Sequence, residues 1–350
     1  MPRRKRSLVT DINIRITGRV GHITLTRPQA LNALNHAMAL AIEKALDAWE
    51  KDDNIAFVLI DAEGEKAFCA GGDIADFYRQ GTTGNHKGAR SFWRDEYRLN
   101  AKIANYSKPY VALMDRIVMG GGVGISAHGS HRIVTDRTML AMPECAIGLL
   151  PDVGGTYLLA NTPGACGEYL GLTGAHLSGA DCLYAGVADY YIPSEKLNEL
   201  HDALLQDGDL SVLEAFHEAP GLSRLQEQQP IINSVFSLET IPEMMAMLAD
   251  IGSDFSMKAL KAFKHGAPYS QMATLIAIRD ARNGDLEQAL RNEYRFVSIS
   301  TTEGEFLEGI RAAVIDKDRN PVWKFPTLAD VPKTLLAKMH QAAEDGDFKL

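Results

Sequence analysis

The stretch Leu140–Tyr157, LAMPECAIGLLPDVGGTY, decides how the rest of the chain is read. It holds two carboxylates, Glu144 and Asp152, eight positions apart in an otherwise apolar segment. Pro143, Gly148, Pro151, Gly154 and Gly155 interrupt any regular helix or strand and force a tight, shaped loop. Burial among apolar neighbours disfavours the charged form of a carboxylate and raises its pKa. Paired acids in such a setting are candidates for nucleophile, base or acid work. Read alone, Asp152 serves as well as the N-cap of a helix starting near Gly154. The two acids together, with the glycine clusters that precede them in the chain, favour a chemical role.

Two glycine-rich turns precede this stretch, Ala70-Gly71-Gly72-Asp73 and Gly120-Gly121-Gly122-Val123-Gly124. Glycine lets backbone approach a ligand closely, and a helix start presents unpaired N–H groups. Two such groups aimed at one oxygen form an oxyanion hole, where one donor lowers a barrier by roughly 3–4 kcal/mol. Either cluster singly is explained as well by close helix–sheet packing. Gly122-x-Gly124-x-x-Ala127 also resembles a dinucleotide fingerprint. Asp115 and Arg116 interrupt the strand before it, however, and the next short strand ends near Asp136, too early for the usual ribose-binding acid.

The surrounding pattern is that of an α/β fold. Ile12–Thr17 and Val20–Leu25 alternate and are joined by Gly18-Arg19, which predicts a hairpin. Apolar residues from Met38 to Trp49 recur at helical spacing, so His36–Lys51 is expected to be a helix. Ile55–Ile60 (IAFVLI) reads as a strand buried on both faces. Asp73 is placed to cap the next helix, and Ala89–Ala104 forms another, carrying Trp93, Glu96, Tyr97 and Leu99. Tyr110–Met114, His131–Thr135 and Met139–Ala141 are strand candidates, and Ile125–His128 continues a helix out of the glycine cluster. Such alternation through about Pro193 implies much parallel pairing. Beyond it, segments 195–206, 209–218, 239–249, 254–264, 270–282 and 285–296 are helical in pattern. The expected division is therefore a basic tail (1–11), an α/β core with the active site (12–200), and a helical region packed on it (201–350).

Length and composition narrow the function classes. A chain of 350 residues with 46% hydrophobic and 23% charged residues is globular, with ample core. Its 36 basic and 45 acidic residues give a net charge of −9, which argues against a general nucleic-acid or membrane-surface binder. No apolar run reaches membrane-spanning length. The four cysteines, Cys69, Cys145, Cys166 and Cys182, lack metal-ligand spacing and read as reduced thiols, which implies a cytoplasmic setting. A nucleophilic Cys145 needs a positioned histidine base, and no motif places His128 or His131 in that role.

In this order, several segments resemble the crotonase (enoyl-CoA hydratase/isomerase) superfamily, and within it the 3-hydroxyisobutyryl-CoA hydrolase branch. They are RPQALNAL (Arg27–Leu34), KAFCAGGDI (Lys66–Ile74), FWRDEYRLN (Phe92–Asn100), KPYVALMDRIVMGGGVGISAHG (Lys108–Gly129), MPECAIGLLPDVGGTYLL (Met142–Leu159) and GIRAAVIDKDRNPVWK (Gly309–Lys324). The resemblance implies a crotonase-like spiral of ββα repeats with a helical C-terminal region. It implies that Gly72 and Gly121 donate the two N–H groups that hold a thioester carbonyl. It makes Glu144 the catalytic carboxylate, attacking the acyl carbon or activating a water, with Asp152 assisting and Glu96 near the acyl group. Ala30, Leu31 and Lys66 fall in segments that line the coenzyme A channel.

Hydratases of this superfamily carry a glutamate where this chain has Gly124 and a glycine where it has Asp152. The resemblance therefore points to hydrolysis of a short acyl-CoA thioester, 3-hydroxyisobutyryl-CoA in valine breakdown, with no metal or redox cofactor and coenzyme A as part of the substrate. Arg116 departs from the glycine usual before the cluster. The alternatives are an enoyl-CoA hydratase or isomerase on the same fold, and a non-catalytic acyl-CoA-binding subunit. The expected partner is a small molecule, with homo-oligomer assembly left open.

Overall fold

The hairpin forms as its alternation predicts. β1 (Ile12–Thr17) and β2 (Val20–Leu25) pair antiparallel, with Ile12 opposite Leu25 and Thr17 opposite Val20. The computed structural model describes residues 11–344, 346 and 347, so the expected basic tail lies outside the described residues save for Asp11. From β2 onward the described strands pair parallel with one another, and Leu140 of β8 adds an isolated antiparallel bridge to Leu177. β3 (Phe57–Ala62) lies beside β2, two residues later than the sequence pattern suggested. β4 (Ala67–Cys69) follows, then β5 (Tyr110–Met114), β6 (Ile117–Met119), β7 (His131–Val134), β8 (Met139–Ala141) and β9 (Tyr190–Tyr191).

The strands divide between two sheets, a six-stranded one in the order β1-β2-β3-β5-β7-β9 and a three-stranded one in the order β4-β6-β8. Each turn of the chain gives one strand to the larger sheet, the next to the smaller, and then a helix, which is the ββα spiral of the crotonase fold. The break between β5 and β6 falls at Asp115-Arg116, where Arg116 sits in the left-handed region at φ 68°. A glycine adopts that geometry without strain, so the departure at this position is a local cost rather than a change of fold.

Period-2 alternation explains the unbroken apolar run in β3. Val58 and Ile60 face the main core, while Phe57 and Leu59 face a second cluster with Val20, Val111, Leu113 and Ile133. Both faces are covered, as expected for a parallel sheet. α1 (His36–Glu50) starts at Asn35, whose side chain accepts from Met38 N–H, and its stripe Met38, Ile42, Ala45, Leu46 and Trp49 packs on the inner face.

α2 (Ala75–Gly81) has no side-chain cap. The expected cap, Asp73, is instead held by Arg27 at 2.9 Å, which ties the first turn after β2 to the turn after β4. α3 (Lys87–Ala104) buries Phe92, Trp93, Glu96, Tyr97 and Asn100, so one acid and two other polar residues fall on its core stripe. α4 is a single turn, Gly121–Gly124, and residues 125–128 continue as turns rather than regular helix.

α5 (Gly155–Ala160), α6 (Cys166–Thr173) and α7 (Gly179–Tyr184) follow the small sheet. α8 (Leu197–Asp207) and α9 (Val212–Phe216) cover the larger sheet's outer face through Leu200, Leu204 and Leu213. The expected boundary at residue 200 thus lies inside α8.

The helical pattern missed α10 (Arg224–Phe236), because Pro230 interrupts it and proline ordinarily ends a helix. Tertiary packing of Leu225, Ile232, Val235 and Phe236 overrides that signal. α11 (Ile241–Ile251), α12 (Asp254–His265), α13 (Pro268–Ala281) and α14 (Leu286–Ser300) match the expected segments to within a few residues. α15 (Phe306–Ile310) and α16 (Lys333–Ala337) are shorter. Apolar residues from Ile23 to Met339 form one continuous core, so the C-terminal helices share a core with the first sheet. No helix among the described residues is long and apolar enough to cross a membrane.

Candidate active site

The decisive loop folds against both glycine turns. Gly72, Glu96, Gly121, Glu144 and Asp152 all line one cavity of about 100 Å³, closed by Phe77, Phe92, Trp93 and Leu149. Larger cavities lie between α6, α10 and α12 (about 800 Å³) and beneath α8 (about 360 Å³), but neither collects these groups.

The two turns come together because each follows a strand of the small sheet, and β4 and β6 are neighbours. The chain after β2 braces the first turn: Leu34 N–H donates to Gly71 O at 2.8 Å and Ala70 N–H to Leu31 O at 3.0 Å. A Cβ at Gly121 would sit 3.4 Å from the Gly72 nitrogen and 2.7 Å from Glu96 Oε1, so only glycine fits without displacing the carboxylate. Neither the Gly72 nor the Gly121 N–H donates to a backbone acceptor among the described residues. That is the arrangement that leaves both free for a ligand oxygen.

Glu144 opens a short 3₁₀ turn, and its carboxylate lies against Gly120, where a Cβ would come within 3.0 Å of Oε1. Glu144 Oε2 and Glu96 Oε1 are buried without a hydrogen-bond partner among the described residues. Burial raises the pKa of both, and the charge of Asp152 adds to it. Asp152 is raised too, by burial, with the Tyr97 hydroxyl partly offsetting it through a 2.7 Å hydrogen bond. Among the described residues no lysine or arginine lines the cavity. The acids therefore hold protons more tightly than free carboxylates.

Asp152 is not a helix cap. Its side chain accepts from Tyr97, and the start of α5 is capped from far along the chain by Glu293 on α14. Glu293 Oε2 accepts Gly154 N–H at 2.7 Å, and Oε1 accepts Thr156 N–H at 3.0 Å and the Thr156 hydroxyl. Burial pushes the Glu293 pKa up to about 8, with these donors pulling the other way. Since both oxygens accept from N–H groups, the geometry suits the ionised form.

His128 donates from Nε2 to Val153 O at 2.8 Å, and burial lowers its pKa to about 4, so it acts as a neutral brace. Val153 itself sits at φ 55°, a strained setting for a β-branched residue and one that clusters at functional sites. Sequence reasoning missed Glu293 and left His128 without a role. The available signal for Glu293 was an acid on the apolar stripe of α14, between Leu290 and Val297.

Gly124 is sterically required. A Cβ there would lie 2.7 Å from Val153 Cβ and 2.8 Å from Asn100 Nδ2. The space a hydratase's glutamate needs is taken by the loop that carries Asp152.

The expected channel residues sit outside the cavity. Lys66 is exposed, Ala30 ends a 3₁₀ turn, and Leu31, at φ 52°, reaches the site only through its bond to Ala70. Cys145 packs against Thr274 and the Gly171 carbonyl, and burial pushes its thiol up to about 12, which removes it as a nucleophile.

Residues 20–340 match the enoyl-CoA hydratase/isomerase family. The 3-hydroxyisobutyryl-CoA hydrolase, mitochondrial, of Danio rerio is 40% identical, covering 95% of this chain and 90% of that protein. Its Homo sapiens counterpart is 39% identical, covering 95% and 89%. Among solved structures, an enoyl-CoA hydratase from Rhodobacter sphaeroides 2.4.1 is 43% identical with a TM-score of 0.93, over 97% of this chain and 100% of that one. A carnitinyl-CoA dehydratase from Mycobacterium thermoresistibile is 40% identical with a TM-score of 0.91, over 96% and 98%. Overall identity thus does not separate hydrolysis from hydration, and the site has to.

Proposed function

The chain belongs to the enoyl-CoA hydratase/isomerase family, and from that premise we propose that it hydrolyses 3-hydroxyisobutyryl-CoA to 3-hydroxyisobutyrate and coenzyme A, the thioester step of valine breakdown. One observation carries the choice of reaction: Val153, next to Asp152, and Asn100 occupy the volume that a second hydratase carboxylate at position 124 would need. The hydrolase relatives support the same reading.

In the proposed reaction the thioester carbonyl enters between the N–H groups of Gly72 and Gly121. Negative charge developing on its oxygen is stabilised there without reorganisation, because both donors are fixed by backbone. Glu144 then attacks the acyl carbon directly or takes a proton from an attacking water. In the first case the tetrahedral adduct expels coenzyme A as its thiolate and leaves an anhydride, which water opens. In the second case Glu144 passes the proton it took from water to the departing thiolate; in the first the water that opens the anhydride supplies that proton. Both routes return Glu144 as a carboxylate. Asp152, held by Tyr97, orients the attacking group and raises the pKa of Glu144, and Glu96 contacts the acyl portion. Ala30, Leu31 and Lys66 mark the side from which the coenzyme A moiety approaches. This chemistry uses no metal or redox cofactor, and coenzyme A enters only with the substrate. The cytoplasmic setting rests on the four unpaired buried cysteines, which suit any reducing compartment; the vertebrate relatives are named as mitochondrial.

A thiol-release assay across short 3-hydroxyacyl and enoyl thioesters of coenzyme A tests the assignment. We expect 3-hydroxyisobutyryl-CoA to be cleaved fastest. The alternative enoyl-CoA hydratase reading, favoured by the names of two solved structures, predicts loss of the crotonyl-CoA double bond with little free thiol.

Glu293 gives a second test. Glutamine keeps one accepting oxygen but turns an amide NH₂ toward either Gly154 N–H or Thr156 N–H. A charge-assisted hydrogen bond is worth about 1.5–3 kcal/mol, so Glu293→Gln should lower kcat/KM by roughly 10-fold or more if the loss is felt at Asp152. A variant of lower melting temperature but unchanged kcat/KM would show that Glu293 serves the fold alone.

A further inference from the structure

Away from the acyl site, the outer face of the larger sheet carries another cluster of ligand-type side chains. His22 on β2 is fully buried, and its Nε2 lies 2.8 Å from Asp61 Oδ2 on β3. His201 reaches the same oxygen from α8, with Nε2 at 2.9 Å. One donor atom from each residue falls within 4.8 Å of the other two. Two imidazoles converge on one carboxylate oxygen, while Asp61 Oδ1 is buried with no hydrogen-bond partner among the described residues. Asp61 and His201 also line the 360 Å³ cavity beneath α8, apart from the cavity that holds Glu144.

We propose that His22, Asp61 and His201 form a binding site for a divalent transition metal, with zinc the best fit, that clamps α8 onto the sheet. The donor set decides the class of ion. Two imidazole nitrogens and a carboxylate suit zinc, whereas calcium and magnesium take oxygen ligands. Three protein ligands leave a fourth position, and the adjoining cavity admits water to it.

Two of the three donor spacings, those from each imidazole to Asp61, are close to what such an ion needs, and the two imidazole nitrogens lie within 4.8 Å of each other. Metal–ligand bonds of about 2.0–2.2 Å in tetrahedral geometry place donors roughly 3.3 Å apart. The present contacts of 2.8 and 2.9 Å therefore need to open by only a few tenths of an ångström.

Arg15 opposes the ion. Its NH2 lies 3.2 Å from His22 Nε2, while its NH1 donates to Thr24 Oγ1 at 2.9 Å. A guanidinium only donates and cannot share that nitrogen with a cation. Metal entry thus requires Arg15 to move, and this residue becomes an internal control on affinity.

The test uses the full chain, stripped with a chelator and titrated with Zn²⁺ alone by calorimetry and thermal unfolding, with Co²⁺ as the spectroscopic probe. We expect one ion per chain, a melting temperature that rises with Zn²⁺ concentration, and visible absorption from tetrahedral cobalt. His201→Gln and Asp61→Asn should each weaken Zn²⁺ by roughly 10-fold or more, the scale of losing one ligand-fixing group, with thiol release unchanged. Arg15→Gln should tighten it by roughly threefold or more, since it removes a like charge beside the ion. Absence of stoichiometric binding, or binding that survives both ligand substitutions, overturns the proposal. So does an Arg15→Gln variant that binds no better than the parent chain.

Discussion

Glu144→Gln is expected to abolish thiol release, by on the order of 10⁴-fold or more, while coenzyme A thioesters still bind. The amide preserves shape but can neither attack the acyl carbon nor accept a proton. The N–H groups of Gly72 and Gly121 remain to hold the carbonyl, so KM or a directly measured Kd should change far less than kcat. A variant keeping a tenth of parental turnover would remove Glu144 from the mechanism.

The same substitution should stabilise the fold, and the sign follows from linkage. Burial and Asp152 raise the Glu144 pKa in the folded state. The resulting penalty is absent below the ordinary carboxylate range and grows as pH rises through the folded value. Removing the ionisable group relieves it, so the melting temperature should rise at pH 8, by about 1–2 °C per kcal/mol for a chain of this size. The gain should disappear near pH 4. A gain independent of pH would mean that packing, and not the buried charge, is responsible.

Asp152→Gly is the second large effect, expected to lower hydrolysis by roughly 10²-fold or more without conferring hydration. It removes the acceptor of the Tyr97 hydroxyl, 2.7 Å away, together with the acid that positions the attacking group. It also makes the loop more like that of a hydratase, yet Gly124 still lacks the other carboxylate. Gly124→Glu should not supply one, because its Cβ would start 2.7 Å from Val153 Cβ and 2.8 Å from Asn100 Nδ2. We expect it to lose hydrolysis by displacing the 152–154 turn. Efficient crotonyl-CoA hydration by the parent chain, with little thiol release from 3-hydroxyacyl thioesters, would overturn the assignment.

The sequence by itself determined the elements and the chemistry they carry. The hairpin, the β3 run and the long helices α1 and α3 follow from periodicity, because a pattern of 2 or 3.6 commits a segment before any packing is known. Glu144 and Asp152 stood out because acids are rare in a proline- and glycine-broken apolar loop. Tertiary structure alone decided what each polar group is for. Asp152, taken alone, reads as well as a cap as a chemical group, until Tyr97 takes its carboxylate and Glu293, 141 positions later, takes the cap instead. Asp73 likewise goes to Arg27 rather than to α2, and α10 persists through Pro230 because its apolar face is covered. Gly124 shows the same division most plainly. The missing carboxylate is visible in the sequence, but that no side chain fits there is known only once Val153 is seen against it. Local propensity is encoded in neighbouring residues, whereas hydrogen-bond partners and excluded volume come from residues far apart in the chain.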